Sequence, residues 1–404
     1  MKAYQTTNKS VHGSFSHLKI ADTEDHLLKN YSRAPIDFVK GKGAYLYDST
    51  GKEYLDFLCG IAVTSFGHSN PQIKEAVEEQ VKRLWHVSNL FISSGQKILA
   101  DKLYLRSSLE YAFFCNSGTE ANEAAIKFAR KWGNGKFQII TALGGFHGRT
   151  YGSLSASGQY KLWEGFFPLT PGFLYVPFGD IEAIENSFGP HVVAVMLEPI
   201  QGEKGIIIPP EGYLKEVRKF CDEKGILLIL DEVQAGVGRT GKFFAYEYEN
   251  IKPDIVTLAK GIANGIPLGA TLCSKKIGDV INPGDHGSTF GGNPIAVAAA
   301  NKVLDLISDE LLNHIFEMGE KIKNEISSLN SNVIKEVRGK GLMIGVELND
   351  GFSAKQIVSN LLNEGVIVGT SGDAVLRILP PFIVGETEIE KFIGIFKNVL
   401  KKLI

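Results

Sequence analysis

From about residue 110 to 275 the chain alternates two hydrophobic patterns. Short runs are apolar at nearly every position and rich in β-branched and aromatic residues, the pattern of strands covered on both faces in a parallel sheet. "YAFFCN", "FQIITAL", "GFLYVP", "VVAVMLEP", "ILLILD" and "DIVTLAK" are of this kind. Between several of them lie segments of helical period, notably "SGTEANEAAIKFARKW" and "EGYLKEVRKFCDEKG", the second stopped by Gly225 at the expected C-terminal position. The pattern predicts an α/β fold built on a mostly parallel sheet. Upstream, "GAYLYDSTGKEYLDF" reads as two strands joined at Asp48-Ser49-Thr50-Gly51, where Gly51 supplies a positive φ. After Pro294 long helices flank short strands. In the last helix Ile389, Phe392, Ile393, Phe396, Leu400 and Leu403 share one face, a core-packing stripe rather than a membrane anchor. The expected division is a large domain over 61–299, a smaller C-terminal domain over 300–404, and residues 1–60 packing with the smaller one.

Composition narrows the function. The 404 residues suffice for a large domain with a smaller partner. Forty-three Lys and Arg against 45 Asp and Glu leave a net charge of −2, without the basic excess that nucleic acid demands. No apolar run approaches a membrane span, and the polar first thirty residues lack the apolar core of a secretory signal. A soluble, cytoplasmic protein is expected. Cys59, Cys115, Cys221 and Cys273 are widely spaced, which points to inert thiols rather than to disulfides or a metal site.

The stretch "GILLILDEVQAGVGRTGKF" raises a false trail. Gly236, Gly241 and Lys242 match the phosphate-cradling G-x-x-x-x-G-K, but Phe243 stands where a magnesium-binding Ser or Thr is required, and Asp231 precedes the glycines on the same strand. A P-loop ATPase is therefore only a distant alternative. Asp231 still needs an explanation, because it ends an apolar strand at the edge where open α/β sheets bind ligands. A lone strand-end Asp is usually a salt bridge or a helix cap; its company decides otherwise.

Ser117-Gly118-Thr119 open a helix, with Ser117 and Glu120 at capping-box spacing, and offer free N–H groups and a helix dipole to a phosphate. "GGFHGRTYGS" presents Phe146, His147 and Arg149 in a glycine-rich loop. Lys260 in "TLAKG" ends a further strand between apolar segments, where desolvation makes an amine nucleophilic. Together these residues describe a pyridoxal phosphate pocket: Lys260 as the Schiff-base lysine and proton carrier, and Asp231 holding the pyridine nitrogen protonated. Glu232 has no role that follows from the sequence.

With these residues in view, the chain resembles the class III, ornithine-aminotransferase-like aminotransferases of fold type I, from about Tyr31 to the C-terminus. The resemblance rests on "GIAVTSFGHSNP", "NSGTEANEAAIKFAR", "FHGRT", "EPIQGEKG", "DEVQAGVGRTGKFFA", "LAKG", "GSTFGGNP" and "LRILPP", in that order. It implies that Gln234 bonds the cofactor's phenolic oxygen, that Phe146 and Val233 cover the two faces of its ring, and that Ser117, Gly118 and Thr119 hold its phosphate. Thr289 is implied to reach the phosphate of a neighbouring subunit in a homodimer with shared active sites.

Two arginines are implied to sort substrates. Arg377 takes the α-carboxylate of glutamate or 2-oxoglutarate and pairs with Glu203 when an ω-amine is bound, while Arg149 takes the carboxylate at the donor's far end. Thr119 stands where many relatives have Ala. Ile61 and the "GGNP" segment resemble the acetylornithine branch, which implies an N-acetylornithine or N-succinylornithine donor in arginine biosynthesis. Ornithine and 4-aminobutyrate aminotransferases, a glutamate 1-semialdehyde aminomutase and a non-catalytic cofactor-binding regulator are the competing readings.

Overall fold

The computed structural model describes residues 26–403. The first compact unit ends at Asp37; in its described part Arg33 donates to the Leu28 carbonyl and lies over the Tyr31 ring. What the sequence led us to expect of residues 1–25 lies outside the described residues. The second unit begins at Phe38 with strands β1 (Phe38–Lys42), β2 (Tyr45–Asp48) and β3 (Glu53–Asp56), an antiparallel meander. Its β2–β3 turn is the expected one. Gly51 has φ 88°, and Asp48 Oδ1 accepts the amides of Thr50 and Lys52 at 2.9 and 3.0 Å.

The central sheet has seven strands: β4 (Tyr111–Cys115), β5 (Gln138–Ala142), β6 (Phe173–Val176), β7 (Val192–Leu197), β8 (Leu227–Asp231), β9 (Ile255–Leu258) and β10 (Gly269–Cys273). Their order is β4-β10-β9-β8-β7-β5-β6. Pairs from β6 through β9 are parallel, and β10 runs antiparallel to both β9 and β4. The six apolar runs of the sequence are thus the six co-directional strands. The seventh, "GATLC", was missed because Gly, Ala and Cys carry little strand preference; pairing on both sides holds it there.

Helices α1 (Gly118–Trp132), α2 (Tyr151–Ala156) and α3 (Tyr213–Lys224) lie along this part of the chain, and Gly225 ends α3 in the left-handed conformation. Successive β8 side chains point to opposite faces. Leu228 and Leu230 join the core cluster that includes Val217 and Phe220 of α3, whereas Leu227 and Ile229 join the one that includes Ala124, Ala125 and Phe128 of α1.

Beyond α4 (Pro294–Leu306) come β11 (Ile334–Lys340), β12 (Met343–Leu348), β13 (Val366–Ile367), β14 (Gly369–Ser371) and β15 (Val375–Ile378). All but β13 form an antiparallel sheet in the order β11-β12-β15-β14. β13 pairs instead with β3, in parallel. The last helix, α5 (Glu386–Lys401), buries Ile389, Phe392, Phe396 and Leu400 as the stripe predicts, with the Phe392 ring tilted against Phe57 at 4.8 Å between centroids. Among the described residues no helix is long and apolar enough to cross a membrane.

The nucleotide-hydrolase reading fails in the fold. The loop after β8 runs through turns into a short 3-10 segment, Ala245–Glu249, instead of opening an α-helix, and Lys242 points to solvent. Its central residue has another task. Arg239 is only 1 % exposed and has no carboxylate partner among the described residues. Its guanidinium donates to the carbonyls of Leu342 and Pro380 at 3.1 and 2.5 Å and to Ser65 Oγ at 2.9 Å, and it covers the Phe382 ring. Burial lowers its pKa to about 10. One side chain thereby ties three distant segments together. Arg239→Ala should lower the thermal midpoint by roughly 5 °C or more, since it strands three buried acceptors. Arg239→Lys should restore less than half of that, because a point charge lacks the fork; scanning calorimetry checks both.

Candidate active site

Because β4, β5, β7, β8 and β9 run the same way, their C-terminal ends lie along one edge of the sheet. Residues at or just past those ends, Asn116, Phe146, Glu198, Asp231 and Lys260 among them, line a cavity of about 430 Å³. Asp231 is 4 % exposed and holds the centre. Its Oδ2 accepts from Asn122 Nδ2 at 2.7 Å and from His147 Nδ1 at 2.8 Å, and its Oδ1 from the Val233 amide at 3.0 Å. A carboxylate only accepts, so His147 carries its proton on Nδ1. Burial opposes a charged imidazole, but the hydrogen bond and charge of Asp231, with Glu198 behind it, outweigh that and raise the His147 pKa. Asn122 is fixed in turn: its Nδ2 also donates to the His147 carbonyl, and its Oδ1 accepts from Thr257 Oγ1, both at 2.7 Å.

Lys260 follows β9 with φ 47°, so its side chain leaves the strand toward the cavity. Its Nζ has no hydrogen-bond or ion-pair partner among the described residues. Burial lowers its pKa, Arg377 adds to this, and Glu203, Asp231 and Glu198 oppose it. Arg377 Nη1 meets Glu203 Oε1 at 2.5 Å, and Gln234 Nε2 donates to the same oxygen at 3.3 Å. Burial pushes Glu203 up, yet Arg377 and Lys260 pull it below its ordinary value. Two buried atoms here have no hydrogen-bond partner among the described residues: Gln234 Oε1 and Arg377 Nε. Glu198 accepts the amides of Phe146 and Gly202 at 2.8 and 3.1 Å. Its burial still raises it to about 7.

At the start of α1 the amides of Gly118 and Thr119 have no acceptor among the described residues. The capping box is present in altered form. Ser117 Oγ accepts the Glu120 amide at 3.3 Å, but the Glu120 carboxylate reaches back to Asn116 N, one residue further than expected, at 2.8 Å. A β-carbon on Gly118 would lie 2.7 Å from Val233, so glycine is what lets Val233 pack against the helix start. Phe146 lies on the cavity wall with the Arg149 guanidinium over its ring, 5.4 Å from the centroid.

Most predicted residues therefore come together. Ser117, Gly118, Thr119, Phe146, Arg149, Asp231, Val233, Gln234 and Lys260 line the cavity, with Glu203 and Arg377 behind Gln234 and Lys260. Two lie elsewhere. Ile61 sits in a turn, Cys59–Ala62, whose four residues all have positive φ, and packs into an apolar cluster with Leu58 and Ile208; Val63 faces the cavity in its stead. Thr289 is exposed and outside the cavity lining. Asn122, Glu198 and the acid-pairing role of His147 were missed, although "EANEA", "LEPIQGE" and "FHG" contained them. Nothing local in those segments announces a partner 84 or 109 positions away.

Residues 27–400 match the class-III aminotransferases. The chain belongs to that family. It is 47% identical to an acetylornithine aminotransferase of Bacillus cereus over 93% of this chain and 97% of the relative. Among solved structures it is similar to the ornithine aminotransferase of Toxoplasma gondii (TM-score 0.90, 32% identity, 94% and 93% of the two chains). It is also similar to an N-acetylornithine aminotransferase of Stenotrophomonas maltophilia (TM-score 0.81, 35% identity, 92% and 97%). Class-III aminotransferases work with pyridoxal phosphate. The residues present fit that cofactor: free helix amides for a phosphate, a flat aromatic wall facing a branched aliphatic one, a buried carboxylate, an orphaned amide oxygen and an unpartnered amine.

Glu232 marks the limit of the site. It is fully buried on the other face of the sheet from Asp231, with Oε1 accepting the Tyr246 amide at 3.0 Å and Oε2 unpartnered. Burial raises its pKa to about 8, far above the carboxyl's value in an unfolded chain. A raised carboxyl contributes stability that is complete below its unfolded pKa and lost as pH rises through the folded one. Between about pH 5 and pH 8 the stability difference between Glu232→Gln and wild type should therefore shift steadily in the variant's favour. Thermal melts across that window check it; a constant difference would refute it.

Proposed function

We propose that the protein transfers the δ-amino group of N-acetylornithine, or of a close N-acyl relative, to 2-oxoglutarate, giving the N-acyl glutamate semialdehyde and glutamate in arginine biosynthesis. One observation carries the reading: Lys260, an amine without a partner among the described residues, faces the same cavity as Asp231 and the open start of α1. When bound, pyridoxal phosphate supplies an aldehyde that joins to amines and a protonated ring that accepts electron density from the bond being broken. Gly118 and Thr119 would offer their amides to its phosphate, Phe146 and Val233 would flank its ring, and Asp231 and Gln234 would take its ring nitrogen and its phenolic oxygen. Lys260 Nζ, its basicity reduced by burial, would remove the proton from the donor's δ-carbon and return it to the carbon on the far side of the transferred nitrogen.

Arg149, at the cavity wall, takes the donor's carboxylate. Arg377 is held by Glu203 in the meantime and takes the α-carboxylate of 2-oxoglutarate when Glu203 moves aside. The acids that line the cavity, Asp231 and Glu198, are both committed to internal hydrogen bonds, and Glu203 to Arg377. An ornithine α-ammonium would find no free carboxylate. Acylation removes that charge.

We also propose a homodimer. Leu90, Phe91, Ile92 and Phe290 are 90, 68, 97 and 61 % exposed, and Asn89 ties their two segments together through the carbonyls of Ser288 and Gly291. Ser288 in turn bonds Asn116 at the cavity wall. A second copy seated on this apolar rim would cover it and would receive Thr289. The four buried, unpaired thiols suit a reducing cytoplasm.

Lys260→Ala should abolish turnover and leave cofactor binding through the phosphate. Borohydride reduction of the wild type, followed by peptide mapping, should place the pyridoxyl label on Lys260; a label elsewhere would remove the central assignment. With 2-oxoglutarate as acceptor, kcat/KM should be highest for N-acetylornithine or N-succinylornithine and about 100-fold or more lower for ornithine. Equal or better rates with ornithine or 4-aminobutyrate would overturn the donor and spare the chemistry.

A further inference from the structure

The hydroxyl of Thr119, at the cofactor end of α1, is already engaged. Thr119 Oγ1 accepts the backbone amides of Arg149 and Thr150 at 3.2 and 3.3 Å and shares hydrogen bonds with Thr150 Oγ1 and Ser153 Oγ at 3.0 and 2.6 Å. One helical turn later on the same face stands Glu123. Its Oε1 takes the Thr150 hydroxyl at 2.5 Å and the amides of Gly152 and Ser153 at 2.9 and 3.0 Å. A carboxylate cannot donate, so the Thr150 hydroxyl must, and its oxygen then accepts from Thr119 or Ser153. The cluster thus ends on a single anion, Glu123, to which the Thr150 hydroxyl donates. It is also tightly closed: a β-carbon on Gly148 would lie 2.2 Å from Thr119 Oγ1, and one on Gly152 2.3 Å from Glu123 Oε2.

We propose that Glu123 and Thr119 are positioning residues for donor specificity, a clasp that locks the Arg149 backbone to the helix that opens at the cofactor phosphate. The proposal rests on the reading of Arg149 as the group that takes the donor's carboxylate. Arg149 is exposed and no ion pair holds its side chain among the described residues; its ring contact with Phe146 is soft. Its aim into the cavity is therefore set by where its backbone is pinned, and the clasp pins it at residues 149 and 150. Because the pins come from α1, the distance between the phosphate end and the carboxylate end of the pocket is set by one rigid element. That distance measures the length of the donor.

The test compares N-acetylornithine with N-acetylputrescine, which has the same transferable amine and acyl group and lacks the carboxylate. For Glu123→Ala, KM for N-acetylornithine should rise about 10- to 100-fold, while kcat/KM for N-acetylputrescine changes less than about threefold. Glu123→Gln keeps an acceptor oxygen and should retain wild-type discrimination. Thr150→Val, which removes the donated hydroxyl alone, should shift KM in the same direction as Glu123→Ala and serves if that variant does not fold. Arg149→Ala is the calibrant. Should Arg149→Ala lose discrimination while Glu123→Ala and Thr150→Val keep it, or should those two lose both donors equally, the clasp has no part in specificity. If Arg149→Ala itself keeps discrimination, the carboxylate reading fails first and takes this inference with it.

Discussion

A strand turns successive side chains to opposite faces of its sheet, and β8 carries that alternation through to two acids side by side. Leu227, Ile229 and Asp231 face α1; Leu228, Leu230 and Glu232 face the α3 side. Two carboxylic acids consequently meet two fates. Asp231 finds Asn122 on α1 and His147 on the loop after β5, and these donors, with the Val233 amide, make a buried charge tolerable. Glu232 finds only backbone amides of the Ala245–Glu249 segment, its Oε2 has no partner among the described residues, and burial raises its pKa to about 8. A one-residue slip of β8 would exchange the two and leave the cavity without its anion. The register of the sheet is thus a chemical requirement as well as a packing one.

That requirement explains which parts of the protein were legible in its sequence. Strand-end residues such as Asp231 and Lys260 could be read because an apolar run that stops at a polar residue marks both the strand and its edge. The start of α1 could be read for a similar reason, from its small polar residues before a helical period. Asn122 could not, since a polar residue inside a helix reads as solvent-facing until β8 and β9 are laid beneath it and present Asp231 and Thr257. The turn at Cys59–Ala62 escaped as well: four consecutive left-handed residues, one of them the β-branched Ile61, contradict local preference. It persists because Ile61 and Ala62 are packed into an apolar cluster and Asp56 accepts the amides of Leu58 and Cys59 at 3.0 and 2.8 Å. Arg239 was hidden differently, inside a glycine motif that suggested nucleotide chemistry and turned out to be a buried fastening.

The charges of the site form a graded series. Asp231 is fully compensated by donors that the fold supplies. Lys260 is left without a partner among the described residues, and burial makes its amine easier to deprotonate. Arg377 lies between these extremes, buried and charged, with Nε unsatisfied and one carboxylate in contact. Unlike Arg239, whose fork is met by two carbonyls and a hydroxyl, Arg377 has no neutral acceptor among the described residues, so its enclosed charge needs an anion.

Glu203 fills that need, and the two side chains are not equally free. Arg377 is fixed within β15, 5 % exposed, between Gly345 and Gly369 on the neighbouring strands. Glu203 is 27 % exposed and comes from a loop. Were a ligand carboxylate to arrive, the partner to give way would be the one already closest to water, since its rehydration requires the least rearrangement. Under the proposed reaction this asymmetry lets one cavity accept an amine donor with Glu203 in place and a dicarboxylate acceptor with Glu203 displaced. In neither half-reaction is the buried guanidinium left unpaired.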